Sequence, residues 1–462
     1  MAKSELNILI LAAGQGTRMR SKRPKVLHPL AGRPMLQHVI DTARELRPHR
    51  LGVIYGHGGE QVPQQIADQA IEWIEQTEQL GTGHAVMQAL PQVADEEIVL
   101  VLYGDVPLLE ADTLAMLVEQ ADEALCLLTV HLPDPTGYGR IVRDEHGQVT
   151  AIVEHKDASD EQRRITEVNT GILAVNGGRL KGWLNQLDNN NAQGEYYLTD
   201  IIAMAVTDGV AIEVSHPAGI SEVLGVNSRQ QLAALEREYQ LRQAGRLMSE
   251  GVSLADPARL DIRGQLYCGE DVTLDINVVI EGEVRLADNV TVGPNCVLKD
   301  CTLAEGVQVL PMSVIEGAHI GADSRIGPFA RIRPGTKLAG QTHIGNFVEL
   351  KNSQVGEGSK INHLSYVGDT RVGKQSNIGA GVITCNYDGA NKHRTEIGDN
   401  AFVGSDAQLV APVKVGDGAT IGAGTTLTND APENALTLSR TKQKTVTGWK
   451  RPKKQGRGAR DE

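Results

Sequence analysis

From residue 320 the chain places an aliphatic side chain every six positions: Ile320, Ile326, Ile332, Leu338, Ile344 and Leu350, then again Ile397, Val403, Leu409, Val415, Ile421 and Leu427. An amphipathic helix recurs near 3.6 residues and a half-buried strand at 2. A sustained period of six fits neither and points to a parallel β-helix, three hexapeptides to a coil. Glycine follows many of the aliphatics, as at Gly321, Gly345, Gly398 and Gly404, and a small residue there would allow a tight corner. Between the two runs the phase slips, and Cys385 to Glu396 ("CNYDGANKHRTE") is expected to leave the stack as a loop. One coil cannot bury its apolar face alone, and flat outer faces suit self-association, so an oligomer is expected.

The first half has a different texture. Leu6 to Leu11, Leu51 to Tyr55, Ile98 to Tyr103 and Gly171 to Val175 are short apolar runs alternating with helical patterns, which reads as an α/β domain with a largely parallel sheet. Ligands of such sheets sit beyond the carboxyl ends of strands, where the loops after Ala13 and Tyr103 could share one pocket. At Ser228-Arg-Gln-Gln231 a capping box opens a helix whose apolar positions are sparse and charges many, which predicts a solvated arm between domains. The expected organisation is therefore an α/β domain over 1–227, a helical arm over 228–250, a β-helix over 251–437 and a basic tail over 438–462.

Composition narrows the partners. The 462-residue chain carries a net charge of −13 and only 3% aromatic residues, so neither a broad basic footprint nor base-stacking platforms are suggested, and nucleic acid is an unlikely ligand. Five cysteines without a CxxC fit neither a disulfide framework nor a zinc site, which agrees with a reducing cytoplasm. No export signal or membrane segment is read from the sequence.

The loop after the first strand decides the chemistry. Gly14-Gln-Gly16-Thr-Arg-Met19 lacks the third glycine of a dinucleotide fingerprint, and Arg18 and Pro24-Lys25 follow, so backbone N–H groups and point charges are offered to a polyphosphate. Gln79-Leu-Gly81-Thr82-Gly83-His84 could approach a flat base closely. Asp105 ends a buried strand, where it needs partners or a cation such as Mg²⁺. In the second half, His363 lies near the inserted "NYDG", with Arg333, Glu349, Lys351, Tyr366 and Asn377 on neighbouring coils. This collects an imidazole base, a carboxylate to orient it and cations for a phosphate.

On Leu11-Ala-Ala-Gly14-x-Gly16-Thr-Arg18-Met with Pro24-Lys25, the chain resembles the sugar-1-phosphate nucleotidyltransferases. With the arm and the hexapeptide repeats, its whole length resembles the bifunctional N-acetylglucosamine-1-phosphate uridylyltransferases/glucosamine-1-phosphate acetyltransferases. That resemblance implies a Rossmann-like domain, a long helix and a left-handed parallel β-helix in a cytoplasmic homotrimer, with UTP, acetyl-CoA, glucosamine-1-phosphate and N-acetylglucosamine-1-phosphate as substrates and Mg²⁺ as cofactor. It implies that Leu11, Ala12, Ala13, Gly14, Lys25, Gln76, Gly81 and Thr82 contact nucleotide. Tyr103, Gly104, Asp105, Gly139, Glu154, Asn169 and Asn227 would contact the UDP-sugar, with Asp105 and Asn227 on Mg²⁺. It makes His363 the catalytic base. Arg333, Lys351, Tyr366 and Asn377 would meet the amino-sugar phosphate, and Ala380, Asn386, Tyr387, Ser405, Ala423 and Arg440 would meet acetyl-CoA. Hexapeptide solenoids also serve as regulatory modules behind nucleotidyltransferases, so a single-activity enzyme with an assembly β-helix is the competing expectation, and a noncatalytic nucleotide sensor on a scaffold a third.

Overall fold

The strand Leu6–Leu11 is apolar at almost every position because it is covered on both faces. Ile8 and Ile10 point into one core, with Leu36, Ile40 and Leu100, and Leu9 and Leu11 into another, with Ile54, Val86 and Val101. It pairs in parallel with Arg50–Tyr55 on one side and Ile98–Tyr103 on the other, and Arg50–Tyr55 pairs onward with Glu72–Glu75. Beyond Ile98–Tyr103 the sheet turns mixed: Glu167–Asn176 runs antiparallel to it and to Leu125–His131, whose far edge carries Ile212–Ser215 in parallel. The computed structural model describes residues 4–14, 16–56 and 59–452. Gln15 of the glycine loop and residues 453–462 of the expected basic tail lie outside the described residues. The chain divides into two compact units, the first running to Glu250 and taking in Asp256–Gln265, the second comprising Gly251–Ala255 and the chain from Leu266 onward.

The helix Arg229–Ser249 corrects the expectation of a solvated arm. Its N-terminus is a variant of the capping box read from sequence: Ser228 Oγ accepts from the Gln231 N–H at 3.2 Å, while Gln231 Oε1 accepts not from the cap itself but from the Asn227 N–H before it, at 2.8 Å. The rest of the helix packs on the first unit. Leu235 joins a small core with Met19, Leu30, Met35, Leu108 and Val226. Arg242 donates to Leu108 O and Glu110, Glu236 accepts from the Ala31 N–H, and buried Gln240 closes both a donor and an acceptor bond with the Ile262 backbone. Much of this docking is made by polar side chains, which an apolar count does not register.

In the second unit the period-six aliphatics are buried: all twelve positions of the two runs lie in the interior of the solenoid. They stack in parallel register one coil apart, as in Val309, Ile326, Ile344, Ile361, Ile378, Val403 and Ile421. The step from Ile378 to Val403 is longer than the others because the chain departs between Cys385 and Thr395 and returns to the same column. The glycines after the aliphatics serve a different purpose from the one expected. Apart from Gly327, with a φ of 101°, the turning φ values fall on other residues, such as Asn295, Phe329 and Asp406. A side chain at Gly321 would instead sit 2.5 Å from the backbone of Ala339 in the next coil, so glycine is needed there for close stacking.

Candidate functional site

Leu11 and Tyr103 are register partners at the carboxyl ends of two adjacent parallel strands. From the first strand the chain goes on to Arg50–Tyr55 on one side, while Ile98–Tyr103 lies on the other, so the loops part and leave a crevice where α/β sheets bind ligands. The crevice is a cavity of about 560 Å³ lined by Leu11, Ala12, Ala13, Gly14, Lys25, Gln76, Gly81, Thr82, Tyr103, Asp105 and Asn227, together with Val26, Gln79, Ala85 and Glu195.

The glycine loop is built around Lys25 and Met19. Gly16 has a φ of 60° and a Cβ there would lie 2.7 Å from the Lys25 side chain, so only glycine lets the lysine pass beneath the loop. Met19, which stands where a dinucleotide fingerprint has glycine, is buried in the core beneath Leu235 and anchors the loop. Lys25 then reaches the cavity floor, where its ammonium pairs with the Asp105 carboxylate and donates to Asn227 Oδ1 at 3.1 Å. The half-buried carboxylate just beyond the strand end thus has its counter-charge. Two oxygen donors converge on one cationic point, the donor chemistry that a hard divalent cation requires.

Four of the expected contacts, Gly104, Gly139, Glu154 and Asn169, are not among the lining residues of this cavity. Gly104 is wedged under it: its N–H donates to Leu11 O at 2.9 Å, and a Cβ would press on Leu36, Val26 and Ala12. The other three form a group of their own. Asn169 N–H donates to Gly139 O at 2.9 Å, Gly139 lies against Glu154, and Glu154 accepts from Thr199 Oγ1 at 3.2 Å. Burial pushes the Glu154 carboxyl up, with Asp200 and Asp157 adding to it. The ring of Tyr103 packs over Gly171 and joins this group to the cavity; burial, then the charges of Glu154 and Asp105, push its phenol well above the usual range.

The solenoid arranges its candidates along a corner. The His363 carbonyl accepts from the Gly381 N–H at 3.1 Å, Ala380 O from Asp406 N–H at 2.7 Å, Ser405 O from Gly424 N–H at 2.8 Å, and Ala423 O from Arg440 Nε at 3.0 Å. His363, Ala380, Ser405, Ala423 and Arg440 therefore climb one edge, coil upon coil. The residue that orients His363 is not the carboxylate suggested by the sequence. Glu349 is held by Arg333 at 2.8 Å, and the His363 Nδ1 partner is Asn346 Oδ1 at 2.8 Å. An amide oxygen is only an acceptor, so in the neutral imidazole Nδ1 carries the hydrogen and Nε2 the lone pair.

Arg333 directly follows the strand Arg331–Ile332, Lys351 ends the adjacent strand and Tyr366 begins the next, while Asn377 belongs to a different column in register with Lys360. Lys392, returning from the inserted loop, comes so close to Lys351 that it lowers the Lys351 pKa. A cluster of cations with this mutual repulsion favours an anion such as a phosphate. The loop itself is pinned. Buried Asn386 donates to Asp369 Oδ2 at 2.6 Å, and Asp388 gathers the N–H groups of Ala390 and Asn391 and the His393 ring, which together hold its carboxyl well below the usual range. Burial would raise Asp369, but the hydrogen bonds from Asn352 and Asn386 hold it low. Tyr387 is left exposed at the tip. Sequence reasoning had no signal for Asn346 or Lys392, since one lies a coil away from its partner and the other in a loop without repeat. Among the described residues no helix is long and apolar enough to cross a membrane.

Comparison with known proteins agrees with this division. A family model for the MobA-like NTP transferase domain matches residues 8–246, one for the GMPPB C-terminal domain residues 262–344, and one for the bacterial transferase hexapeptide (six repeats) residues 394–429. The chain is 62% identical over 453 residues to a protein of Nitrosospira multiformis, with 98% of each chain covered. It is 60% identical to one of Marinobacter nauticus, over 98% of this chain and 100% of that one, and 59% identical to one of Stutzerimonas stutzeri, over 97% and 99%. All three are named Bifunctional protein GlmU. With its transferase cavity, its hexapeptide solenoid and this degree of identity over nearly its full length, the chain belongs to the bifunctional GlmU family.

Proposed function

We propose that the two sites described above carry the two transfers of one biosynthetic sequence, with the residue roles that follow. The chain is an enzyme with two activities in UDP-N-acetylglucosamine synthesis: acetyl transfer from acetyl-CoA to glucosamine-1-phosphate, and uridylyl transfer from UTP to N-acetylglucosamine-1-phosphate. The bifunctional relatives set aside a purely regulatory solenoid.

In the solenoid, Nε2 of His363 takes a proton from the sugar amine as the amine nitrogen attacks the thioester carbonyl. The C–S bond then breaks and coenzyme A leaves as its thiolate. Arg333 and Lys351, with Lys392, hold the sugar phosphate, while Tyr366 and Asn377 position the sugar. Ala380, Ser405, Ala423 and Arg440 guide acetyl-CoA along the corner, and Asn386 and Tyr387 do so from the loop. The exposed corner and the outward loop tip support a site completed by a neighbouring subunit of a homotrimer. In the cavity, an oxygen of the N-acetylglucosamine-1-phosphate attacks the α-phosphorus of UTP in line and pyrophosphate departs, with no protein nucleophile. The glycine loop and Lys25 bind the triphosphate. Tyr103, Gly104, Gly139, Glu154 and Asn169 shape the sugar side, and Gln76, Gly81 and Thr82 the base side. Asp105 and Asn227, the pair of oxygen donors that face the Lys25 ammonium, would hold Mg²⁺, which when bound neutralises phosphate charge. Cytoplasmic residence belongs to the same reading, since both donors are metabolites of that compartment.

The observation that carries this reading is the presence of two separate constellations, Lys25 with Asp105 and Asn227 on one unit and His363 with Asn346 on the other. The test is simultaneous measurement of thiol and pyrophosphate release from glucosamine-1-phosphate, acetyl-CoA and UTP. Both products should form, and pyrophosphate should appear only after thiol; absence of thiol release would remove the acetyl-transfer assignment.

A further inference from the structure

Away from both sites, three neighbouring strands of the first unit bring metal-ligating side chains together on one face of the sheet. His131 ends the strand Leu125–His131, Glu167 begins Glu167–Asn176 directly opposite it, and His216 follows the edge strand Ile212–Ser215. One nitrogen of each imidazole and one oxygen of the carboxylate lie within 4.8 Å of one another. The two rings are exposed and stand 5.7 Å apart between centroids, while Glu167 is buried. None of the three has a place in the transfers described above.

Thr129, two residues before His131 and therefore on the same face, sets the state of the group. Burial would raise the Glu167 carboxyl, but hydrogen bonds from Arg143 and Thr129 hold it below the usual range, so it is an ionised acceptor. The Thr129 hydroxyl gives its hydrogen to Glu167 Oε1 at 2.9 Å. It can then only accept from His216 Nδ1, 3.2 Å away, as does the Thr129 carbonyl at 3.1 Å. In the neutral His216 ring Nδ1 therefore carries the hydrogen and Nε2 the lone pair, the state in which an imidazole binds a metal while its other nitrogen donates to a backbone carbonyl. The His131 ring has only a long contact, 3.4 Å from Nδ1 to Thr166 Oγ1, and can turn toward an ion. Arg143 takes one acceptor site on each Glu167 oxygen, at 2.7 and 2.8 Å, and Thr129 takes another. An ionised carboxylate has about four such sites, so one is left. Carboxylates that ligate metals are ordinarily held by hydrogen bonds of this kind.

We propose that His131, Glu167 and His216 form a binding site for Zn²⁺, held by one nitrogen of each imidazole and one oxygen of Glu167, with solvent completing the shell. Two nitrogen donors and one carboxylate suit Zn²⁺ and not Mg²⁺, which prefers oxygen throughout. Drawing the ligand atoms around one ion requires a turn of the two exposed rings, not of the buried carboxylate. Arg143 offsets part of the carboxylate charge, so the site is weaker than a structural zinc centre of thiolates. A bound ion staples the edge strand Ile212–Ser215 to the two strands beside it, where the chain leaves the sheet toward Gly139 on one side and Asn227 on the other.

The experiment uses the full chain without a histidine tag, freed of metal by a chelator and titrated with Zn²⁺ alone. Zn²⁺ should raise the midpoint of thermal unfolding of the first unit, and excess Mg²⁺ should not displace it. Co²⁺ in the same site should show the visible absorption of a nitrogen-ligated ion. His131→Gln and His216→Gln should each weaken Zn²⁺ binding by at least about tenfold and abolish the Co²⁺ band. Thr129→Val keeps all three ligands but frees the His216 ring, and should weaken binding about tenfold. Glu5, His49 and Glu97 form the other such group among the described residues, so His49→Gln is the control and should leave binding unchanged. Pyrophosphate release by each variant reports that the first unit is folded. No Zn²⁺-dependent shift in the wild type, displacement by Mg²⁺, undiminished binding in His131→Gln and His216→Gln, or loss only in His49→Gln would each overturn the proposal.

Discussion

The strand-end cavity and the solenoid corner bring their polar groups together in opposite ways. The cavity is made by convergence: the segments 11–14, 25–26, 76–85 and 103–105 and Asn227 meet around one crevice, and its key cation, Lys25, is bound by residues 80 and 202 positions away in sequence. The corner is made by addition: each coil contributes a residue at the same edge, and His363, Phe347 and Leu364 stand exposed along it. Convergence gives a site whose walls come from one unit. Repetition gives a line of groups open on one side, a geometry that suits a long donor molecule and completion by another subunit.

Four substitutions sharpen that contrast: three should each affect one site alone, and the fourth the stability of the first unit. His363→Ala should reduce acetyl transfer by about 10²–10⁴-fold while pyrophosphate release from added N-acetylglucosamine-1-phosphate and UTP is unchanged. Loss of both activities would mean that the two sites are not independent. Asp105→Ala removes the main counter-charge of Lys25 and one of two oxygen donors, and uridylyl transfer should drop by about 10²–10³-fold with thiol release intact. A small effect would show that Asn227 suffices. Asn346→Ala frees the His363 ring and both tautomers become available; kcat for acetyl transfer should decline about tenfold with little change in the KM for acetyl-CoA. Asn346→Asp should restore part of it, whereas equal loss in both variants would deny the orienting role. Ser228→Ala removes the helix cap and should destabilise the first unit by ~1 kcal/mol, read as a lower midpoint of thermal unfolding with both activities retained at 25 °C.

What the sequence disclosed follows the same division. The repeat is legible because its information is local: within each run every buried aliphatic stands six positions from the next, so the runs 320–350 and 397–427 could be read directly, while their continuity across the inserted loop could not. The convergent site is legible only as fragments. Gly14, Gly16 and Lys25 mark a phosphate loop, but that Met19 anchors it beneath Leu235 is a through-space fact with no period or motif. The helix Arg229–Ser249 was misread because its docking residues, Glu236, Gln240 and Arg242, are the polar ones that ordinarily signify solvent. Asn346 escaped because a partner one coil below is seventeen positions back, and a carboxylate, Glu349, offered a chemically attractive but incorrect alternative. The purpose of the glycines after the aliphatics was also mistaken, since a sequence does not distinguish a glycine that turns from one that merely stays thin.

The corner hydrogen bonds have a metric consequence. From His363 to Gly381, to Asp406 and to Gly424 the backbone rises one strand spacing at a time, about 4.8 Å per step, so Ala423 stands roughly 14 Å above the imidazole. The solenoid is therefore a ruler graduated in coils. On the proposed reading, a donor gripped at its far end near Arg440 would have the reach of its flexible arm gauged against that scale. Removing or inserting one whole coil between the base and the arginine would preserve every local interaction and still put the thioester out of register with the amine.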